Sequence, residues 1–182
     1  GLFEAKIGNP GSAGSSVGPP AGSDHALAVP DRPFRNCAAP APMIRGACVG
    51  GGLEVAAACD FRVAAHDAKF GMPEVRVGIP SVIHAALLPR LIGWGRARWL
   101  VMTAENIDAP TALAWGLVDV VAKEDGLDAA VEHTVKALLE CGPEALRAQK
   151  ALMRQWWELP LTETVNVSVG VLGQSFLTGE PP

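Results

Sequence analysis

The chain has 182 residues, 49% hydrophobic and 19% charged, with a formal net charge of −4. That is enough chain and enough apolar side chain for one soluble domain with its own core. An acidic balance without a basic stripe argues against a nucleic-acid partner, and the apolar runs fall short of the ~20 residues a membrane span needs.

Residues 1–42 are rich in proline and glycine and show little periodicity. The stretch from Gly8 to Pro20 has the composition of a linker, so 1–42 reads as an irregular N-terminal segment. Its start, Gly1-Leu2-Phe3-Glu4-Ala5-Lys6, has neither the charged nor the apolar region of a signal peptide, and the predicted location is cytoplasmic. Ordinary α/β material begins at residue 43 and is expected to form the folded core through 182.

Residues 43–49 predict a short buried strand ending in glycine, and 53–58 an alanine-rich buried helix. A strand follows at 61–65, a turn or short strand at 69–71, and a loop at 74–79. This alternation with short connections predicts a layered α/β architecture. Residues 82–102 are helical in pattern, with a break expected near Gly93. Asp108 is a candidate N-cap, Pro110 sits in the first turn and Gly116 is the stop of a short helix. A strand at 118–121 precedes helices at 127–139, 143–157 and 161–176. The tryptophans Trp94, Trp99, Trp115, Trp156 and Trp157 read as core or subunit-contact residues. Cys37, Cys48, Cys59 and Cys141 form no CxxC pair and lack histidines at zinc spacing, so no metal is expected. They read as reduced thiols, mostly buried.

Gly46-Ala47-Cys48-Val49-Gly50-Gly51-Gly52-Leu53-Glu54 carries the chemical interest. Three glycines open a helix whose first N–H groups have no intrahelical partners, which suits a ligand's negative charge or a carbonyl oxygen developing one. A plain strand-to-helix turn fits the same glycines. A nucleotide phosphate loop does not, because GxGxxG and GxxxxGK[ST] are both absent. Glu54 lies in an otherwise apolar helix, where a carboxylate is costly unless paired or functional. Glu74, in Gly71-Met72-Pro73-Glu74, reads either as an acid/base partner or as a surface residue.

The run from Gly46 through Ala64, followed by Ala68-Lys69-Phe70-Gly71-Met72-Pro73-Glu74, closely resembles the signature of the enoyl-CoA hydratase/isomerase family, the crotonases. Leu88-Pro89-Arg90-Leu91-Ile92-Gly93, Ile107-Asp108-Ala109-Pro110-Thr111-Ala112, Gly116-Leu117-Val118-Asp119-Val120-Val121 and Ala148-Gln149-Lys150-Ala151-Leu152 resemble it in order and at similar spacing. The likeness extends over about residues 42–180. It implies a crotonase-like α/β spiral of β-β-α turns with C-terminal helices, assembled as a homotrimer or a dimer of trimers (a hexamer). It also implies an acyl-CoA thioester substrate of fatty acid metabolism, coenzyme A entering only as part of that substrate, and no other cofactor. On the same resemblance, the N–H of Gly51 is one donor of an oxyanion hole. Glu54 activates the water that adds at C3, and Glu74 exchanges the proton at C2. The implied enzyme is an enoyl-CoA hydratase. An isomerase, other acyl-CoA chemistry on this fold, or an inactive acyl-CoA-binding subunit are the alternatives.

Two segments depart from the family pattern. The first oxyanion segment normally reads Phe-x-Ala-Gly-Ala-Asp, and here only Gly11-Ser12-Ala13-Gly14-Ser15-Ser16 is similar, with Ala13 the candidate second donor. After Glu74, Pro80-Ser81-Val82-Ile83-His84-Ala85-Ala86-Leu87 replaces a glycine-rich stretch. Gly50, Gly52 and Ser81 are candidate substrate-binding residues, and His84 reads as a structural histidine. Arg62 and Arg90 can in principle meet the phosphates of coenzyme A.

Overall fold

The computed structural model describes residues 41–180. Most of the predicted N-terminal segment, with Ala13 and Cys37 in it, lies outside the described residues. The described residues begin with β1 (Met43–Ile44), Gly46 and β2 (Ala47–Val49). Gly46 has φ 61, a left-handed conformation that ends one extended segment before the next begins. The single strand expected at 43–49 is therefore two, and Met43 is exposed rather than buried. β2 leads through Gly50 into α1 (Gly51–Ala57). The pattern then repeats with β3 (Val63–Ala65) and β4 (Lys69–Gly71).

Repetition produces the stacking. β1 pairs with β3 and β2 with β4, both in parallel, so each turn lays one strand into each of two sheets. A third layer comes from β5 (Ile107–Asp108), antiparallel to β4, and β6 (Val120–Ala122), parallel to β3. The sheets are thus ordered β1-β3-β6 and β2-β4-β5. Parallel neighbours require a crossover, and α1 supplies it between the first two layers.

Strands of two or three residues and a seven-residue helix cannot stand alone. Their stability comes from one cluster that joins Leu53, Ala56 and Ala57 of α1 to Cys48, Phe70, Met72, Leu88 and Leu100. Leu53, Phe70 and Met72 are wholly inaccessible, and each such side chain contributes about 1.5–3 kcal/mol of hydrophobic stabilisation. Val63, Ala65, Ala122 and Leu127 make a smaller core beneath α4 (Leu127–Leu139).

After β4, a 3-10 helix at Glu74–Val77 stands where a loop was expected, and a second at Ile83–Leu87 leads into α2 (Leu88–Thr103). Gly93 has φ 80 and ψ 155 inside α2, which kinks it at the predicted break. In α3 (Ala109–Trp115) the Asp108 carboxylate accepts from the Thr111 N–H at 2.9 Å, and Gly116 ends the helix at φ 80, as the sequence pattern indicates. α4, α5 (Pro143–Glu158) and α6 (Leu161–Ser175) match the expected helices to within a residue at each end. A Lys150–Asp60 ion pair ties α5 to the segment after α1.

Side-chain burial sorts several of these expectations. Trp94 is 70% exposed, and Trp99 and Trp156 are also exposed, so these three are not core residues of this chain. Cys48 and Cys59 are buried, but Cys141 is exposed. Arg62 is buried among protein acceptors. Its Nε donates to Leu117 O at 2.7 Å, Nη1 to Cys59 O at 2.9 Å, and Nη2 lies 3.1 Å from Asp119. Its guanidinium locks the β3 layer to the end of α3. Arg90 lies over the Trp157 ring at 4.6 Å. Among the described residues, no helix is long and apolar enough to cross a membrane.

Candidate active site

The join between β2 and α1 is set by Gly50, with φ 55 and ψ −130. Its N–H donates to Gly71 O at 2.9 Å, tying the mouth of α1 to the end of β4 in the next layer. Gly50 caps the helix without a side chain. The first bond within α1 runs from the Glu54 N–H to Gly50 O at 3.0 Å. The N–H groups of Gly51 and Gly52 precede it and have no partner within the helix. Both residues are exposed, and nothing lies within 4 Å of where either would carry a Cβ. A ligand can therefore approach this backbone closely.

Glu54 sits in the first turn of α1 and is 7% exposed. Its Oε2 accepts the main-chain N–H of His84 at 3.3 Å. The 3-10 helix that carries His84 packs directly on α1. His84 thus acts here through its backbone, whatever its ring does.

Glu74 arrives from the following layer. It is the first residue of the 3-10 helix after β4 and is half-buried. A Cβ built on Gly50 would lie 2.7 Å from Glu74 Oε1, so that oxygen sits against the glycine turn. The other oxygen, Oε2, accepts from Ser81 Oγ at 3.1 Å. Ser81, expected to bind substrate, is here a partner of Glu74. The sequence offered no signal for that pairing beyond a hydroxyl seven residues after a glutamate.

One buried carboxylate and one half-buried carboxylate therefore meet at a bare helix start. Beside them, Val75, Pro80, Ser81, Ile83, Trp94 and Met102 line part of a mostly apolar cleft of about 500 Å³. Two carboxylates with exposed amides can move protons on a polarised carbonyl compound. Among the described residues, no group of three or more His, Cys, Asp or Glu could hold a metal ion.

The family model for enoyl-CoA hydratase/isomerase matches residues 37–180, most of the chain. The chain belongs to that family. Crotonyl-CoA hydratase of Syntrophomonas wolfei is 37% identical over 136 residues, 74% of this chain and 52% of that protein. The crystal structure of enoyl-CoA hydratase from Thermoplasma volcanium GSS1 superposes with a TM-score of 0.75 at 28% identity, covering 81% of this chain and 59% of that one. A Thermobifida fusca YX protein in complex with acetoacetyl-CoA gives 0.72 at 31% identity, covering 76% and 55%. The two-sheet spiral is thus the crotonase fold. The chain spans about half the length of the curated relatives it matches. In this enoyl-CoA hydratase/isomerase family member, Glu54, Glu74 and the three glycines come together at one turn, while Ala13 lies outside the described residues.

Proposed function

We propose that this member of the family is an enoyl-CoA hydratase, adding water across the 2,3 double bond of an enoyl-CoA thioester. The observation that carries this reading is the meeting of Glu54 and Glu74 at the bare start of α1. The thioester carbonyl lies against the Gly51 N–H, with the backbone of Gly50 and Gly52 around it. Ala13 is the candidate for the second donor. Donors placed where enolate charge develops stabilise the transition state by several kcal/mol. Glu54 takes a proton from water as its oxygen bonds to C3. The electron pair of the double bond moves towards the carbonyl, and Glu74 delivers a proton to C2. The reverse steps dehydrate a 3-hydroxyacyl-CoA. Coenzyme A enters as part of the substrate, and the reaction needs no other cofactor.

The reading extends to a homotrimer or dimer of trimers in the cytoplasm. Trp94 and Met102, 70% and 72% exposed, support burial against another subunit. The test is turnover of crotonyl-CoA by the purified chain, followed as loss of the enoyl absorbance. Glu54→Gln and Glu74→Gln should each lower kcat by about 100-fold or more. Turnover unchanged in both variants would sink the assignment.

A second reading rests on the first oxyanion segment, where only Gly11-Ser12-Ala13-Gly14-Ser15-Ser16 is similar to the family pattern: an acyl-CoA-binding subunit without turnover. Thermal stabilisation by crotonyl-CoA without product would select it. A shifted double bond in the product would select an isomerase.

A further inference from the structure

Glu74's two oxygens have different surroundings. Oε1 lies against Gly50, and Oε2 is held by the Ser81 hydroxyl. A half-buried glutamate at the start of a four-residue 3-10 helix has free side-chain torsions unless something fixes them. Ser81 is the group that does so here.

The segment that delivers Ser81 is itself under constraint. Ile83 has φ 50, in the left-handed region that a β-branched residue strongly disfavours. Strain of this kind persists only where the surroundings over-determine it, and it gathers at functional sites. Ile83 is 57% exposed, so burial of its side chain does not explain the conformation. The contacts on either side do. Ser81 Oγ reaches Glu74 on one side, and the His84 N–H reaches Glu54 on the other. Ala85 N–H closes the turn onto Val82 O at 3.0 Å, and Ala85 is buried. Segment 81–84 therefore touches both carboxylates, with the strained residue between the two contacts.

We propose that Ser81 is a positioning residue for Glu74, holding Oε2 so that Oε1 is presented at the glycine turn. The proposal rests on the hydratase reading for its kinetic consequences. Ser81 replaces the direct substrate contact expected from the sequence with an action through Glu74. Its single O–H is donated to the carboxylate, and the strained turn at Ile83 sets the reach of that donor.

The experiment compares wild type, Ser81→Ala and Ser81→Thr, alone and with Glu74→Gln, in crotonyl-CoA hydration. Ser81→Ala should lower kcat about tenfold with KM within about twofold, because a misplaced proton donor affects the chemical step more than binding. Ser81→Thr, which keeps the hydroxyl, should return kcat to within about threefold of wild type. On the Glu74→Gln background, Ser81→Ala should change kcat by less than about twofold, since coupled residues are not additive. Wild-type kcat in Ser81→Ala, or a full tenfold further loss on Glu74→Gln, overturns the proposal. Crystal structures of wild type and Ser81→Ala decide it without turnover. Oε1 should leave Gly50 in the variant, and an unmoved Glu74 overturns the proposal. Failure of the wild type to hydrate crotonyl-CoA removes only the hydratase reading, and the structures still decide the role of Ser81.

Discussion

Glu74 occupies the space that Gly50 leaves by having no side chain. A Cβ there would lie 2.7 Å from Oε1 and 3.6 Å from the carboxyl carbon, and Gly50 is at φ 55 besides. Gly50→Ala should lose about 1–2 kcal/mol to backbone strain and lose activity more sharply by displacing Glu74. Gly51→Ala meets open space and ordinary helical backbone, and should melt at or above the wild-type temperature. Its activity should still fall, because the new Cβ stands beside the amide assigned to the carbonyl. Thermal melts with crotonyl-CoA turnover separate the two cases, and a fully active Gly50→Ala contradicts the geometry.

The buried Arg62 should be the most sensitive structural charge. Arg62→Ala removes the guanidinium that donates to Leu117 O and Cys59 O and that pairs with Asp119, which is 39% exposed and keeps the main-chain N–H of residue 62 at 2.7 Å. A loss of about 2–4 kcal/mol in urea unfolding is expected, allowing for solvent around Asp119. Asp119→Asn keeps an acceptor oxygen and should lose less. Equal losses for the two variants would count against this account.

Burial pushes the Cys48 thiol from its ordinary 9.0 up to about 11. Below pH 9.0 the thiol is protonated in both folded and unfolded chains, and its contribution to stability is complete. As pH rises from 9.0 towards 11 the unfolded chain gives up this proton first, so stability falls. Urea midpoints of Cys48→Ala should decline less steeply over that window. At mildly alkaline pH, site-resolved alkylation should label exposed Cys141 in the native state and Cys48 only after unfolding.

Asp108 should behave in the opposite sense. Hydrogen bonds from the Thr111 side chain and main chain hold its carboxyl below the ordinary 3.8. A depressed carboxyl stabilises the fold above that ordinary value and loses the effect as pH falls through the folded one. Asp108→Ala should therefore melt earlier than wild type at neutral pH. The two melting temperatures should converge below pH 3.8, and a constant gap down to strong acid would rule the cap out as the cause.

Local chemistry was legible in order along the chain. Asp108, Pro110 and Gly116 marked α3 because capping and left-handed termination depend on neighbouring backbone alone. Gly93 marked the kink in α2 for the same reason, and α4 to α6 followed from their apolar periodicity. Strand boundaries were less visible. Gly46 divides the first strand because β1 and β2 must enter different sheets, a requirement imposed by β3 and β4 about twenty residues later.

The sequence by itself determined the family, the glycine turn and the two glutamates, since these are residue types at fixed spacing. Tertiary structure alone decided how they meet. Gly50 hydrogen-bonds to Gly71 across the layers, Glu74 lies against Gly50, and Ser81 and His84 hold the two carboxylates. It also decided that Arg62 is a buried structural charge and that Trp94 faces outward. The physical reason is that a spiral stacks residues one turn apart. Partners in space are then set by parallel pairing between layers, which no local pattern records.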